Sequence, residues 1–198
     1  MLLRQIINPV YLVGRLQVAW WEKLHPDLPW MSPGAVRFLE GFLKKSDVGI
    51  EFGSGRSTLW FARHSHHLTS VEHDTKWATI VKGMIQEAGV DNIEYHPIPL
   101  DHPEEEPHRK FYDPLPKYVD LINQYPDGHF DFVIVDGHYR VACIAAAVAK
   151  LKVGGILILD NSDWLPLKEW GIPDNFRILH RSRNVKSETT IFLKSAGV

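Results

Sequence analysis

The chain has 198 residues, a length that predicts one domain with a sizeable hydrophobic core. Its 22 basic and 24 acidic residues nearly cancel, so the composition gives no basic surface for nucleic acid. The single cysteine, Cys143, excludes an intrachain disulfide framework, and no apolar run is long enough to span a bilayer. We therefore predict a cytoplasmic protein without a signal peptide.

An amphipathic helix is predicted over residues 10–24. Its apolar side chains recur at helical spacing, at Val13, Leu16, Trp20 and Leu24. We expect this face to pack on the main domain rather than on a membrane surface, because the polar face is not rich in Lys or Arg.

A second helix is predicted from Ser32-Pro33, which provides the N-cap and the first helical position, to about residue 45. The two helices together form a predicted N-terminal helical cap, residues 1–46. The remaining residues, 47–198, are predicted to form a single compact domain.

The cap is followed by a strand, a glycine turn and the start of a helix. Val48, Ile50 and Phe52 fit a short buried strand, and Gly53-Ser54-Gly55 lacks a Cβ at two positions. Glycines allow the backbone to approach a ligand closely, and a helix start presents free N–H groups to polar or anionic atoms. This pattern is typical of a site for a nucleotide-like ligand.

Two residues distinguish this stretch from the dinucleotide-binding fingerprint. Thr58 stands where G-x-G-x-x-G has its third glycine, and Glu51 would place a carboxylate beside the pyrophosphate. With its acid, hydrophobic residue and G-x-G, the stretch resembles motif I of the class I S-adenosylmethionine-dependent methyltransferases. The resemblance implies that Glu51, Gly53 and Gly55 bind S-adenosylmethionine, with Glu51 near its methionine end. Ser57 replaces the third glycine that is common in that family.

Strands and helices alternate through the rest of the chain, which implies right-handed crossovers and a doubly wound sheet. Residues 97–117 are rich in proline and are predicted to be a long loop. The predicted strands cover residues 68–72, 92–96, 130–135, 156–159, 176–180 and 189–193, and the predicted helices cover residues 76–88, 118–125 and 140–151. The fold class is therefore α/β, a mostly parallel, seven-stranded Rossmann-like sheet with a terminal antiparallel hairpin.

Ligands of such sheets bind beyond the carboxyl ends of the strands. Glu72 ends the second predicted strand, where a carboxylate can accept the ribose hydroxyls of S-adenosylmethionine or, equally, of NAD. His73 and Trp77 are predicted neighbours of the adenine or ribose. The full predicted cofactor site consists of Glu51, Gly53, Ser54, Gly55, Ser57, Thr58, Glu72, His73 and Asp136.

Asp136 follows the fourth predicted strand, and Asp160-Asn161 follows the fifth. This arrangement resembles the magnesium-dependent small-molecule O-methyltransferases, and the resemblance implies a Mg²⁺ site formed by Asp136, Asp160 and Asn161. Oxygen ligands of this kind suit Mg²⁺. Those enzymes use a lysine just after the acid as base, which this chain lacks, so we predict that His138 acts as base beside Asp136. The alternative is that Asp136 positions the cofactor or caps a helix, and that Asp160-Asn161 begins a turn.

Taken together, these features predict an S-adenosylmethionine-dependent methyltransferase that acts on an oxygen of a small molecule or a sugar, with no nucleic-acid partner. The acceptor pocket is expected between the N-terminal helices, residues 97–117 and the segment Trp164–Phe176. Two alternatives stay open: an NAD(P)-dependent oxidoreductase on a similar sheet, and a non-catalytic Rossmann-like domain that acts as a scaffold for a partner.

Overall fold

The computed structural model describes residues 9–102, 109 and 111–197, and within them seven strands form one sheet. In chain order the strands are β1 (Val48–Phe52), β2 (His67–Glu72), β3 (Ile93–Pro97), β4 (Phe130–Val135), β5 (Leu151–Leu159), β6 (Phe176–Arg183) and β7 (Glu188–Lys194). The helices are α1 (Pro9–Leu24), α2 (Pro33–Phe42), α3 (Arg56–His64), α4 (Thr75–Ala88), α5 (Lys117–Asp120) and α6 (Arg140–Lys150). Short 3₁₀ helices cover Leu121–Gln124 and Leu167–Glu169.

The sheet has the order β3-β2-β1-β4-β5-β7-β6. β1 pairs in parallel with both β2 and β4, and β7 is antiparallel to β5 and to β6. The predicted mixed α/β sheet with an antiparallel terminal hairpin is confirmed. Because the strand order reverses between β1 and β4, the crevice at their carboxyl ends is the switch point at which such sheets bind ligands.

Alternation along β4 explains why its sequence reads as one continuous apolar run. Val133 and Val135 pack on one face of the sheet with α6 and the segment that contains Tyr118. Phe132 and Ile134 pack on the other face, against residues of α2 and α3. Successive side chains of a strand point to opposite faces, so both faces of this central strand are buried.

The apolar face predicted for α1 does not pack on the domain, so that prediction is wrong. Val13, Leu16, Trp20 and Leu24 are 52%, 70%, 69% and 56% exposed. The helix contacts the domain on another side, where a Cβ added to Gly14 would lie 2.5 Å from Val185 Cγ1. Helical spacing identified the apolar face but not the face that docks. None of the described helices is long and apolar enough to cross a membrane.

The boundary between α6 and β5 differs from the prediction, and part of the predicted loop lies outside the described residues. The helix predicted to residue 151 ends at Lys150, and β5 begins at once at Leu151, so that Gly154-Gly155 lies within the strand. A register shift between Phe130 and Phe132 accommodates these glycines opposite β4. In the predicted loop, residues 98–102 and 111–116 form no helix or strand, whereas 103–108 and 110 lie outside the described residues.

Candidate functional site

The glycine turn after β1 packs directly on the loop after β4. Gly53 has φ +98°, and a Cβ there would lie 2.7 Å from Gly137 N and 2.8 Å from the carbonyl carbon of Asp136. A Cβ on Gly137 would in turn lie 2.9 Å from Gly53 N and would overlap the Tyr118 hydroxyl. Both residues must be glycine because their backbones touch, and this contact brings Asp136 beside the turn.

Thr58 stands where the dinucleotide fingerprint has its third glycine, and its hydroxyl makes two hydrogen bonds that support the turn. It accepts a hydrogen bond from Gly55 N–H at 3.0 Å and donates one to Glu51 Oε2 at 2.6 Å. Glu51 is fully buried, and Ser70 Oγ donates to the same oxygen at 2.8 Å. Burial raises the pKa of Glu51 to about 7, against the hydrogen bonds from Ser57, Thr58 and Ser70.

Glu72, at the end of β2, carries a stabilised negative charge. Its Oε2 accepts from Ser54 N–H at 3.0 Å and from Ser54 Oγ at 2.9 Å. Its Oε1 accepts from the backbone N–H groups of His73 and Asp74, both at 2.8 Å. Burial alone would raise the pKa of Glu72, but these bonds and the His73 side chain lower it to about 2.

A cavity of about 390 Å³ lies beside this carboxylate, at the switch point of the sheet. Its lining is formed by Gly53, Ser54, Glu72, His73, Asp74, Trp77, Asp136 and Gly137. The Trp77 indole is fixed as a wall, because its Nε1 donates to Ser54 O at 2.8 Å. We call this space the cofactor cavity. The predicted residues Gly53, Ser54, Glu72, His73 and Asp136 line it.

The other four predicted cofactor residues lie behind this surface. Glu51 and Thr58 are fully buried, and Ser57 is 8% exposed. Gly55 is buried at the N-cap of α3 with extended backbone, φ 171°. Ser57 and Thr58 therefore support the turn through Glu51, and the predicted direct contact of Glu51 with a ligand stays a prediction.

A second cavity, of about 430 Å³, adjoins the first and shares Asp136 with it. It is lined by Glu22, Trp30, Asp136, Asp160, Asn161, Lys186 and Ser187. Two segments far apart in the chain meet at its edge, where Lys186 Nζ lies 2.6 Å from Glu22 Oε2. Arg56 lies over the Trp30 ring, 5.0 Å from its centroid. We call this space the acceptor cavity.

The predicted magnesium site is not supported, because the Arg140 guanidinium lies among the residues assigned to it. Arg140 donates to Asp136 Oδ1 and to Asn161 Oδ1, each at 3.2 Å. Asp160 Oδ1 is engaged by Thr189, which donates a 2.5 Å hydrogen bond to it. Among the described residues, no group of three His, Cys, Asp or Glu side chains is arranged to hold a metal ion. The donor set therefore does not fit Mg²⁺.

The two acids differ in their surroundings. Burial and then the charge of Asp136 raise the pKa of Asp160 to about 8. Burial also raises the pKa of Asp136, but the Arg140 guanidinium opposes that shift. With Arg140 in contact, Asp136 is the carboxylate of the pair that ionises first.

His138, the predicted base, lines neither of the two cavities in the part of the chain that the structure describes. Its ring packs against His73, with ring centroids 3.9 Å apart. Asp136, two residues earlier, lines both cavities. It is therefore better placed than His138 to accept a proton from a molecule bound in either cavity.

Sequence reasoning missed several residues that line these cavities or contact their lining residues. Arg140 carried a detectable signal: it stands four residues after Asp136 in the first turn of α6, where the helix dipole disfavours a cation. Glu22, Trp30 and Lys186 carried none, because only the tertiary fold brings α1, the α1–α2 connection and the β6–β7 turn together.

No protein-family model and no curated protein matches the sequence. Solved structures do match. A methyltransferase-like protein of Silicibacter pomeroyi is 22% identical, with 86% of this chain and 90% of that chain covered and a TM-score of 0.61. A Streptococcus mutans protein named for methyltransferase activity, solved with S-adenosylhomocysteine, is 12% identical over 80% of this chain and 94% of that chain, TM-score 0.59. An rRNA methylase of Streptococcus thermophilus is 14% identical over 81% and 93%, TM-score 0.58.

These similarities establish the fold. The chain shares its overall fold with these solved structures. Its own sheet is seven-stranded and mixed, with the glycine turn at the switch point.

Proposed function

We propose that this protein transfers a methyl group from S-adenosylmethionine to a hydroxyl oxygen of a small, neutral, hydroxylated molecule. The observation that carries this proposal is the position of Asp136, which lines both the cofactor cavity and the acceptor cavity. A proton acceptor at the junction of two adjoining cavities suits a reaction between one ligand in each.

The cofactor cavity fits a nucleoside ligand in size and chemistry. Its volume of about 390 Å³ lies in the range of small-molecule sites. The ionised Glu72 is the residue that would accept ribose hydroxyls. Ser54 Oγ now bonds Glu72 and also lies 2.9 Å from Tyr95 Oη, so it can turn to Tyr95 when a ribose hydroxyl takes its place. Trp77 offers an aromatic wall for the base.

The bound cofactor supplies an activated methyl group on a sulfonium, so the protein's tasks are alignment and proton transfer. Asp136 would accept the proton of the attacking hydroxyl as the oxygen–carbon bond forms and the carbon–sulfur bond of the sulfonium breaks, which leaves S-adenosylhomocysteine. Arg140 stabilises the ionised form of Asp136 before this step. Asp160, with its pKa of about 8, is protonated at neutral pH and can donate a hydrogen bond to the acceptor.

The lining of the acceptor cavity favours a neutral acceptor. Glu22 is paired with Lys186, and Asp136 is paired with Arg140. A phosphate group would meet these carboxylates without an unpaired cation among the described lining residues. Hydroxyl groups, in contrast, match the carboxyl and amide oxygens of Asp136, Asp160 and Asn161, and Trp30 offers an apolar surface for a ring.

Calorimetry with S-adenosylmethionine, S-adenosylhomocysteine and NADH tests the cofactor. We expect the first two to bind and NADH not to bind. Binding of NADH alone would favour the oxidoreductase, and no binding at millimolar ligand would overturn the proposal.

Transfer of labelled methyl groups to neutral sugars and phenols, with rRNA as a comparison, tests the acceptor. We expect Asp136→Asn to lose about 10²–10⁴-fold of the transfer rate. Its S-adenosylhomocysteine affinity, measured alongside, separates loss of proton transfer from loss of cofactor binding. Transfer to rRNA and to none of the small molecules would move the acceptor to nucleic acid and contradict the neutral-acceptor assignment.

A further inference from the structure

Arg140 lies in a cage of oxygen atoms behind the acceptor cavity, where it contacts the lining residues Asp136, Asp160 and Asn161. Its Nε donates to Gly137 O at 2.9 Å, and its NH1 donates to Asp160 O. Its NH2 donates to Asp136 O at 3.0 Å as well as to the side-chain oxygens of Asp136 and Asn161. One guanidinium thus joins the end of β4 to the end of β5.

This cage is enclosed, and its loops have a specific backbone conformation. Arg140 is only 3% exposed, and the Trp164 ring covers its guanidinium at 4.3 Å. Two residues beside it, Tyr139 and Asn161, have left-handed backbone conformations with φ of 51° and 50°. Such conformations persist where surrounding contacts determine them, and the bonds from Arg140 to backbone carbonyls on both loops are contacts of this kind.

The position of Arg140 along its helix is electrostatically unfavourable. It begins α6, where the helix dipole favours negative charge. The oxygen cage therefore has to compensate for the dipole and for burial of the charge. A guanidinium, planar with five N–H donors, suits oxygen acceptors spread over two loops better than a single ammonium group.

We propose that the Arg140 guanidinium is the built-in cation of the acceptor site, and that it positions Asp136 for proton transfer in place of a divalent metal. This inference rests on the methyl transfer proposed above. Arg140 already engages Asp136 Oδ1 and Asn161 Oδ1, two of the oxygens that a metal would use, and a second cation beside a buried guanidinium would be repelled. Arg140 is a positioning residue, since it acts through Asp136.

The first test measures Mn²⁺ binding to the full chain after chelator treatment, by the loss of the free Mn²⁺ electron paramagnetic resonance signal. We expect wild type to bind no Mn²⁺ at this site. We expect Arg140→Ala to bind Mn²⁺ at least about tenfold more tightly than wild type, because its acids have lost their cation. The gain should disappear in Arg140→Ala/Asp136→Asn. Arg181→Ala, which removes an arginine from the Glu188 ion pair, is the matched control and should gain nothing.

Two results of this test would overturn the inference. One is tight Mn²⁺ binding by wild type that Asp136→Asn abolishes. The other is folded Arg140→Ala that binds no more Mn²⁺ than wild type. This readout does not depend on methyl transfer, so it separates failure of the inference from failure of the proposed function.

The second test covers the case in which Arg140→Ala does not fold. Arg140→Lys keeps the charge but cannot bridge the two loops. We expect it to lower kcat by about 10²-fold through misplacement of Asp136, with S-adenosylhomocysteine affinity unchanged. We also expect wild-type transfer to be unaffected by excess chelator. Wild-type turnover in Arg140→Lys, or loss of wild-type activity on chelation that Mg²⁺ restores, would contradict the inference.

Discussion

Gly53 and Gly55 flank one turn but meet different constraints. A side chain on Gly53 would collide with the backbone of the loop after β4, and its φ of +98° is unfavourable for other residues. A Cβ on Gly55 would meet only Trp77 Cζ2, at 3.8 Å, in extended backbone that any residue adopts. The fold therefore requires glycine at position 53, whereas the described protein atoms around a Cβ at position 55 do not require glycine there.

We expect Gly55→Val to fold normally and to weaken S-adenosylhomocysteine binding by at least about tenfold, or about 1.4 kcal/mol. A Cβ at position 55 makes only an ordinary contact with Trp77, and under the proposed function the larger valine side chain would occupy space at the start of α3 that the cofactor needs. Calorimetry and thermal unfolding measure the two effects. Gly83→Ala, at a position in α4 where a Cβ contacts nothing, is the control. Unchanged affinity in Gly55→Val would place the ligand away from the start of α3.

His138 provides a second prediction at the scale of the residue. Because its ring packs on His73 and Asp136 lines both cavities, we expect His138→Ala to lower kcat less than about tenfold, far from the 10²–10⁴-fold of a lost general base. The pH–rate profile should keep its shape. A loss of the size expected for Asp136→Asn would return the role of base to His138.

Among the elements, α1 depends on few contacts. Its apolar row faces away from the domain, and the Glu22–Lys186 ion pair joins it to the β6–β7 turn. The two side chains are 22% and 29% exposed, so solvent screens them incompletely. Arg56 also donates to Glu22 O, at 3.4 Å. The ion pair is accordingly the main polar contact that orients the end of this helix.

We expect a coupling energy of about 0.5–1 kcal/mol between Glu22→Gln and Lys186→Met in a double-mutant cycle. The quantity to measure is the opening free energy of α1, from native-state hydrogen exchange. The Asp127–Lys150 pair, in which Asp127 is 74% exposed, is the control and should show a smaller coupling. Equal coupling in both cycles would show that the Glu22–Lys186 pair does not hold α1.

At the scale of the molecule, local sequence patterns predicted the sheet and the polar residues at its strand ends. Asp136, Asp160 and Asn161 do converge, because parallel strands place their carboxyl ends at one edge. Their partner was not predictable in the same way. Proximity of acids indicates that a positive charge is needed, but only side-chain packing decides whether a metal or Arg140 provides it. Glu22 and Lys186 were beyond local patterns, since 163 residues separate them.

The stability of the whole molecule should depend on pH through Glu51. Its folded-state pKa of about 7 exceeds its ordinary value of 4.5, so the stability it contributes is complete below pH 4.5 and is lost as pH rises through 7. Glu51→Gln removes this titration. We expect the difference in unfolding free energy, variant minus wild type, to rise by about 2.5 kcal/mol between pH 5 and pH 8. Denaturant unfolding at both pH values measures it, and a difference independent of pH would contradict the shift.

The ion pair at the edge of the acceptor cavity has a thermodynamic consequence. Since Glu22 and Trp30 form part of the cavity wall, a molecule that fills the cavity contributes binding free energy to the docked position of α1. This coupling free energy is reciprocal, so undocking of α1 weakens ligand binding by the same free energy that the ligand contributes to docking. The acceptor can thus be sought without an assay for its chemistry: compounds can be screened for slower amide exchange in the first helix, with the cofactor present throughout.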